Sequence, residues 1–179
     1  PRAFRRRCEI HRAAAPPRAY HAAMDAAVRT AIRTLVDSER MLTLAVVVDA
    51  EPVAALLPYA VDAAGTGLIV QASGLAGHAR GLRHGATAGV VIHVPATPDL
   101  DPLQIPRLSI QAAVRHLARG TGAWEEAAAR FTARFPAAVT TLALPDFELF
   151  ALDLGRGRYV EGFARAVNVG PETFGALRS

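Results

Sequence analysis

From Ala19 to Arg40 the apolar residues Met24, Ala27, Val28, Ala31, Ile32, Leu35 and Val36 recur at helical spacing, and one face of an amphipathic helix is predicted there. After Arg40 the pattern changes to strands. Met41 to Asp49 is rich in β-branched residues, and Asp49-Ala50-Glu51-Pro52 turns it back into Val53 to Val61, so these two runs predict a hairpin. A second turn, Asp62 to Gly67, leads into the apolar strand Gly67 to Ala72, a short helix within Ser73 to Leu82 and another strand, Ala88 to Val94. Pro95 to Pro106 holds four prolines and two aspartates and reads as an exposed loop. Arg107 to Arg119 alternates for much of its length, as a long, partly solvent-facing strand does. Trp124 to Phe135 has helical spacing, with Ala127, Ala128, Phe131 and Phe135 inward and Pro136 at its end. Phe147 to Leu154 and Arg158 to Phe163 alternate on either side of Gly155-Arg156-Gly157, which predicts a second hairpin. About six antiparallel strands with short helices between them predict a mainly β domain with flanking helices, curled into a small closed or split β-barrel that hides its edges. The connections are too short for the crossover helices of a parallel sheet.

Composition narrows the picture. A chain of 179 residues is enough for one domain, residues 19–179, preceded by a basic N-terminal arm, residues 1–18. Every basic side chain is Arg, so Schiff-base chemistry at a lysine is excluded. The formal charge of +4 owes much to Arg2, Arg5, Arg6, Arg7, Arg12 and Arg18 in the arm, and without interleaved aromatics this makes nucleic acid an unlikely partner. The single cysteine, Cys8, allows neither an intrachain disulfide nor a cysteine metal framework. His11, His21 and His116 lack neighbours of metal-ligand type, so no metal site is expected. Arg5-Arg6-Arg7 is followed by Cys8-Glu9-Ile10-His11-Arg12 where an export signal needs a long apolar region, and no apolar run reaches membrane-spanning length. A soluble, cytoplasmic protein with no membrane partner is expected.

The chemistry concentrates between Leu68 and Val94. Ser73 stands where a strand ends and a helix is predicted to begin, so its hydroxyl can cap the first turn while free N–H groups face an anion. Gly74 and Gly77 let a ligand approach the backbone, and His78 and Arg80 add donors and positive charge. His93, inside an apolar strand, reads as a structural histidine, and His84 as a helix-end cation. Asp146 suits a turn or cap, and Glu125-Glu126 a helix start. Tyr159 and Phe163 read as core or rim residues, and Trp124 as an interface or lid residue. No Ser-His-Asp constellation is present, so the catalytic residues stay unassigned.

Several stretches occur together in a telling order: Pro58-Tyr59, Ser73-x-Leu75-x-x-His78-x-Arg80-x-Leu82, Arg107-Leu108-Ser109-Ile110, Phe135-Pro136-Ala137-Ala138, Leu144-Pro145-Asp146-Phe147-x-Leu149-Phe150 and Gly162-Phe163-Ala164-Arg165-Ala166. Over residues 24–169 the chain resembles the pyridoxamine 5′-phosphate oxidase-like split-barrel superfamily, specifically its haem-utilisation branch. The resemblance implies a homodimeric FMN-binding split barrel, with haem in place of FMN in some relatives. It implies that Ser73, His78 and Arg80 lie on the phosphate-binding segment, that Arg107 and Ser109 line the cofactor site, and that Phe163 and Arg165 lie close to it. The chain departs from the family pattern at Ala55, Gly81, Glu161 and Ala164, at Gly85-Ala86-Thr87, and in having no histidine after His116. Three functions follow as expectations. The first is an FMN-dependent oxidoreductase acting on an unidentified small molecule, in which the flavin carries the electron chemistry. The second is a haem-binding or haem-degrading protein with His78, His84 or His116 as axial ligand. The third is a cofactor-free scaffold, motivated by the departures.

Overall fold

The computed structural model describes residues 25–162 and 165–176. The basic arm and Phe163 lie outside them. Helix α1, Ala26–Ser38, has Asp25 at its N-cap position, accepting a hydrogen bond from the Ala27 N–H at 3.0 Å, and residues 19–24 of the predicted helix lie outside the described residues. It buries Val28, Ile32, Leu35 and Val36, the stripe read from the sequence.

Strands β1 (Met41–Val48) and β2 (Glu51–Val61) form the expected hairpin, in register from Met41 opposite Pro58 to Val48 opposite Glu51. Its two-residue loop holds Asp49 at φ 52° and Ala50 at φ 66°, the pair of positive values that a type I′ turn requires. Strand β3, Gly67–Ser73, follows, then a 3-10 turn at Gly77–Gly81 and β4, Thr87–His93. After the proline-rich loop, which carries a short 3-10 turn at Pro102–Gln104, comes β5, Arg107–Leu117. Its alternation is realised: Leu108, Ile110, Ala112 and Val114 are buried, and Ser109, Gln111, Ala113 and Arg115 are exposed. Helices α2 (Gly122–Arg134) and α3 (Ala138–Leu142) precede β6, Phe147–Gly162, and β7 (Arg165–Val169) and α4 (Pro171–Ala176) end the described chain.

The second hairpin is a correction. Phe147 to Gly162 is one continuous strand of 16 residues, and Gly155-Arg156-Gly157 is not a turn. Neither glycine has positive φ. A Cβ at Gly157 would lie 2.8 Å from Ile110 Cα and closer still to the Ser109 carbonyl oxygen, and one at Gly155 would lie 3.1 Å from the Gln111 carbonyl oxygen. These glycines let β6 close against β5 beside the bulge between Ile110 and Ala112. The chain reverses between Gly162 and Arg165 instead, into β7.

The strand order is β3-β2-β1-β4-β5-β6-β7, and β3 also pairs with β6, from Gly67 opposite Asp153 to Ser73 opposite Phe147. Six strands therefore close a barrel, with β7 added along β6. All pairs are antiparallel. Its interior is filled by residues such as Leu42, Leu44, Leu68, Ile92, Leu108 and Leu152, and α1 packs into the same core through Ile32 and Leu35. The Tyr59 hydroxyl, buried in that core, donates to the Val36 carbonyl at 2.8 Å and ties β2 to the end of α1. A second core lies outside the barrel wall, where Ala127 and Phe131 of α2 and Ala138 and Leu142 of α3 meet Ala60, Ile69, Leu149 and Ala151. Leu149 to Leu152 are consequently buried on both faces of β6. Among the described residues no helix is long and apolar enough to cross a membrane.

The helices cover β2, β3 and the first half of β6, and no described helix covers the outer face of β1, β4, β5 and the second half of β6. Cross-strand partners share a face, so the register places Leu56, Thr43, Val91, Ser109 and Arg158 in one outward row. The same reasoning puts Ala54, Ala45, Gly89 and Gln111 in the next. His93, Arg107, Val160 and Ala166 form the row on the other side.

Candidate functional site

The residues predicted to bind an anion fall into two groups. In the first, Ser73 is the last residue of β3, and the 3-10 turn starts only at Gly77 with Ala76 at its cap position, so Ser73 does not cap it. The Ser73 hydroxyl accepts from the Leu75 N–H at 3.2 Å and donates to Asp146 Oδ2 at 2.7 Å, while the Gly74 N–H donates to the Asp146 carbonyl at 2.6 Å. The turn before β6 is thus fastened to the end of β3. Arg119 holds that turn from the other side, donating to the carbonyls of Leu142, Leu144 and Phe147 with its guanidinium over the Trp124 ring. Trp124 is accounted for by this packing.

His78 is half-buried, and its Nε2 is sequestered without a hydrogen-bond partner. Burial holds its pKa below the usual histidine value, so the ring is kept neutral. Arg80 turns away to Asp49, Nη1 to Oδ2 3.0 Å, with side chains 65% and 74% exposed, a pair that water and salt largely screen. Gly81 allows this turn to lie against β1: a Cβ there would fall 2.6 Å from the Val46 side chain. No larger residue fits at that family departure. Ala55, another, packs against the barrel core, and Glu161 pairs with Arg165 at 3.2 Å.

The second group lies on the open sheet face. A trough of about 530 Å³ runs across Thr43, Ala45, Gly89, Ser109, Gly157 and Arg158, and a second of about 400 Å³ continues over Arg107, Arg165 and the exposed Leu103. Arg158 lines both, and Arg156 lines the first. Neither set of lining residues contains an acid. Arg107 donates to the Ile105 carbonyl at 3.1 Å, and Arg158 reaches Asn168 Oδ1 only at 3.4 Å. Small side chains and glycines form the floor, so the trough is shallow, apolar beneath and cationic at one end.

Within one chain the two groups do not meet. Ser73 pairs with Phe147 and Ser109 with Arg158, and those partners are eleven residues apart on β6, about 36 Å of strand contour. The structure brings Arg107, Ser109 and Arg165 together and leaves Ser73, His78 and Arg80 at another end of the barrel. Sequence reasoning missed Arg156 and Arg158, assigned to a turn and its return, and placed Asp146 correctly in a turn without its bond to Ser73. Among the candidate axial histidines, His116 has Nε2 3.5 Å from Glu148 Oε1 and its ring against Phe150, and His84 is exposed in the turn before β4. His93 is exposed at the end of β4, and its Nδ1 meets the Val94 carbonyl oxygen at 2.8 Å.

Neither a family model nor a curated protein matches the sequence. Among solved structures the chain is similar to a haem-binding protein from Mycobacterium smegmatis, at 26% identity and a TM-score of 0.71, covering 80% of this chain and 58% of that one. It is also similar to the haem storage protein HutZ from Vibrio cholerae, at 24% identity and a TM-score of 0.63, covering 70% and 88%. A pyridoxinephosphate oxidase-family protein from Clostridium acetobutylicum shares 10% identity at a TM-score of 0.61, covering 84% and 99%. The chain has the split-barrel fold of the pyridoxamine 5′-phosphate oxidase-like proteins. Haem-binding proteins stand among the structural neighbours of this split barrel, as the resemblance to the haem-utilisation branch implies. The chain spans less than two thirds of the Mycobacterium smegmatis protein's length.

Proposed function

We propose that this split barrel binds haem on its open sheet face. The observation that carries the reading is the trough itself, an apolar floor of Ala45, Gly89 and Gly157 bordered by Arg107, Arg156, Arg158 and Arg165. A flat apolar ring with acidic substituents at one edge suits that distribution, because the ring covers the small residues while guanidinium groups meet the carboxylates. Arg156 and Arg158, without an ion pair among the described residues, are the arginines best placed to hold propionates, and Leu103 provides an apolar wall. The similarity to the Mycobacterium smegmatis haem-binding protein supports the same choice. Haem, when bound, supplies a redox-active iron; this chain supplies orientation and charge. Titrating the purified protein with haemin should produce a saturable Soret shift. No shift at about 10 µM, roughly 7 kcal/mol of binding free energy, would overturn the reading. The double variant Arg156→Ser, Arg158→Ser should bind more weakly, with a smaller dependence on salt.

The expected FMN site is favoured as a second reading by one observation, the sequestered and unpartnered Nε2 of His78. In this reading an FMN phosphate takes the Nε2–H as a donor, with Ser73 and Arg80 beside it. The phosphate must displace the Ser73 bond to Asp146, whose carboxylate stands where an anion is least welcome. Because the two groups lie apart in one chain, a flavin held by both needs the second copy of a homodimer. Quenching of FMN fluorescence on addition of protein tests it, and unquenched FMN at about 10 µM protein sinks it. If neither ligand binds, the cofactor-free scaffold is left standing.

A further inference from the structure

We propose that the open face selects its ligand by the porphyrin ring and its carboxylates and not by the metal. The inference rests on the haem reading and names the ligand class of that same site, a tetrapyrrole dicarboxylate with or without iron. Haem iron is held in proteins by the side chains of His, Cys, Met or Tyr. None of these residue types lines either trough. The side-chain oxygens there belong to the neutral groups of Thr43, Ser109 and Gln111, and the charged nitrogens to guanidinium groups, which stay protonated and have no lone pair to give. Phe163 and Ala164, between Gly162 and Arg165 in the chain, carry no ligating side-chain atom.

The described histidines all stand away from the floor. His93 is four residues from Gly89 along β4, about 13 Å, and lines neither trough. His116 is seven residues from Ser109 along β5, about 23 Å, and its Nε2 faces Glu148. The Nε2 of His78 is sequestered, and His84 lies in the turn before β4, next to Gly85, whose N–H donates to the Val114 carbonyl at 2.8 Å. None of the three histidines expected as axial ligands therefore stands at this floor within one chain.

What converges is positive charge. Arg158 lines both troughs, Arg156 is two residues before it on β6, about 7 Å away, and Arg107, opposite Val160, is its diagonal neighbour across the ladder at about 7–8 Å. Guanidinium groups so spaced can each take a carboxylate in a paired hydrogen bond. The interactions available are thus with the flat apolar face and the acidic edge, and a porphyrin keeps both when iron is absent. Such a site takes up and releases a tetrapyrrole without making or breaking a bond to the metal, as a carrier or store does.

The test uses the full chain and compares haemin, zinc protoporphyrin and metal-free protoporphyrin in one buffer, the first by its Soret band and the others by fluorescence. The three dissociation constants should agree within about threefold, and the dimethyl ester of protoporphyrin should bind about tenfold more weakly or worse. Resonance Raman spectra of the haemin-loaded protein should show no imidazole or thiolate ligation, and His93→Ala and His116→Ala should leave every constant unchanged. Haemin bound more than about tenfold more tightly than the metal-free ring, or an imidazole-ligated spectrum in the wild type, overturns the inference while leaving haem binding intact. An ester that binds as well as the free acid overturns the part assigned to the carboxylates. Binding of none of the three porphyrins overturns the haem reading itself.

Discussion

Gly157 joins the fold to the site, and replacing it with alanine tests both. The new methyl would lie 2.8 Å from Ile110 Cα, 2.9 Å from Ile110 Cβ and closer still to the Ser109 carbonyl oxygen. None of these is the free end of a flexible side chain. Two are backbone atoms of β5, and the third is fixed to it, so relief requires β5 and β6 to part where they hold the barrel closed. The hydrophobic gain from one methyl is about 0.8 kcal/mol, while overpacking of this kind costs 1–3 kcal/mol or more; a net loss of about 2 kcal/mol is expected. For a chain of this size that corresponds to a fall of about 6 °C in Tm. Gly122→Ala supplies the contrast. Gly122 opens α2 with nothing within 4 Å of its missing Cβ and without positive φ, so alanine there should stabilise by roughly 0.4–1 kcal/mol through loss of unfolded-state freedom. Urea unfolding monitored by circular dichroism gives both values, with an unchanged m-value confirming that the comparison concerns stability alone. If Gly157→Ala lies within about 0.5 kcal/mol of wild type, the close approach of β5 and β6 is not what requires glycine, and the account of this strand fails.

The β1–β2 loop holds Ala50 at positive φ, so Ala50→Gly should stabilise the protein by about 1 kcal/mol, read as a higher urea midpoint; a lower midpoint would contradict the strain. Burial lowers the pKa of His78 from 6.5, so the unfolded chain takes the proton first. Stability present above pH 6.5 should decline as the pH falls from there to the lowered folded value, and His78→Gln should remove that part of the pH dependence in melts between pH 5 and 7.5. Leu56 and Val47 are 64% and 61% exposed on the uncovered face, where the proposed second copy would cover them. Light scattering should give a dimer for the wild type and a monomer for Leu56→Arg, and a monomeric wild type would remove the shared-site reading.

The fold was most legible where one residue's partners are its own neighbours. In β5 each alternate position faces the barrel or water, and the burial pattern follows the sequence almost residue by residue. The β1–β2 hairpin was legible for the same reason, since its turn residues lie between its strands. Gly155 and Gly157 were misread because local chemistry offers a turn, while the actual demand for glycine comes from the backbone of β5, more than forty residues away. That misreading hid the row from Ser109 to Arg158 and with it the cationic end of the trough. Arg107 and Ser109 were found through the resemblance; Arg156 and Arg158 could have been found by asking where an uninterrupted strand would point them. His93 reads as a structural histidine from the apolar run of β4, and no local signal says that α2 and α3 will cover β2, β3 and β6 and leave the outside of β4 open. Likewise Ser73 looked like a helix cap because its true partner, Asp146, is distant in sequence.

The closure of the barrel by β3 and β6 also has a consequence for how the chain is made. Leu68 pairs with Leu152 across 84 residues, so one edge of β3 has no partner until β6 has been synthesised. The 74 residues from Ser73 to Phe147 take roughly 4–15 s to emerge at ordinary translation rates. During that interval Gly-Leu-Ile-Val-Gln-Ala-Ser, a strand with no charged residue and no proline, presents a bare ladder of backbone donors and acceptors to any other nascent chain. The yield of soluble protein in a cell is then governed by the protection of one edge for a few seconds, and variants that place a charge at the outward-facing Gln71 or Ser73 trade native packing for safety during synthesis.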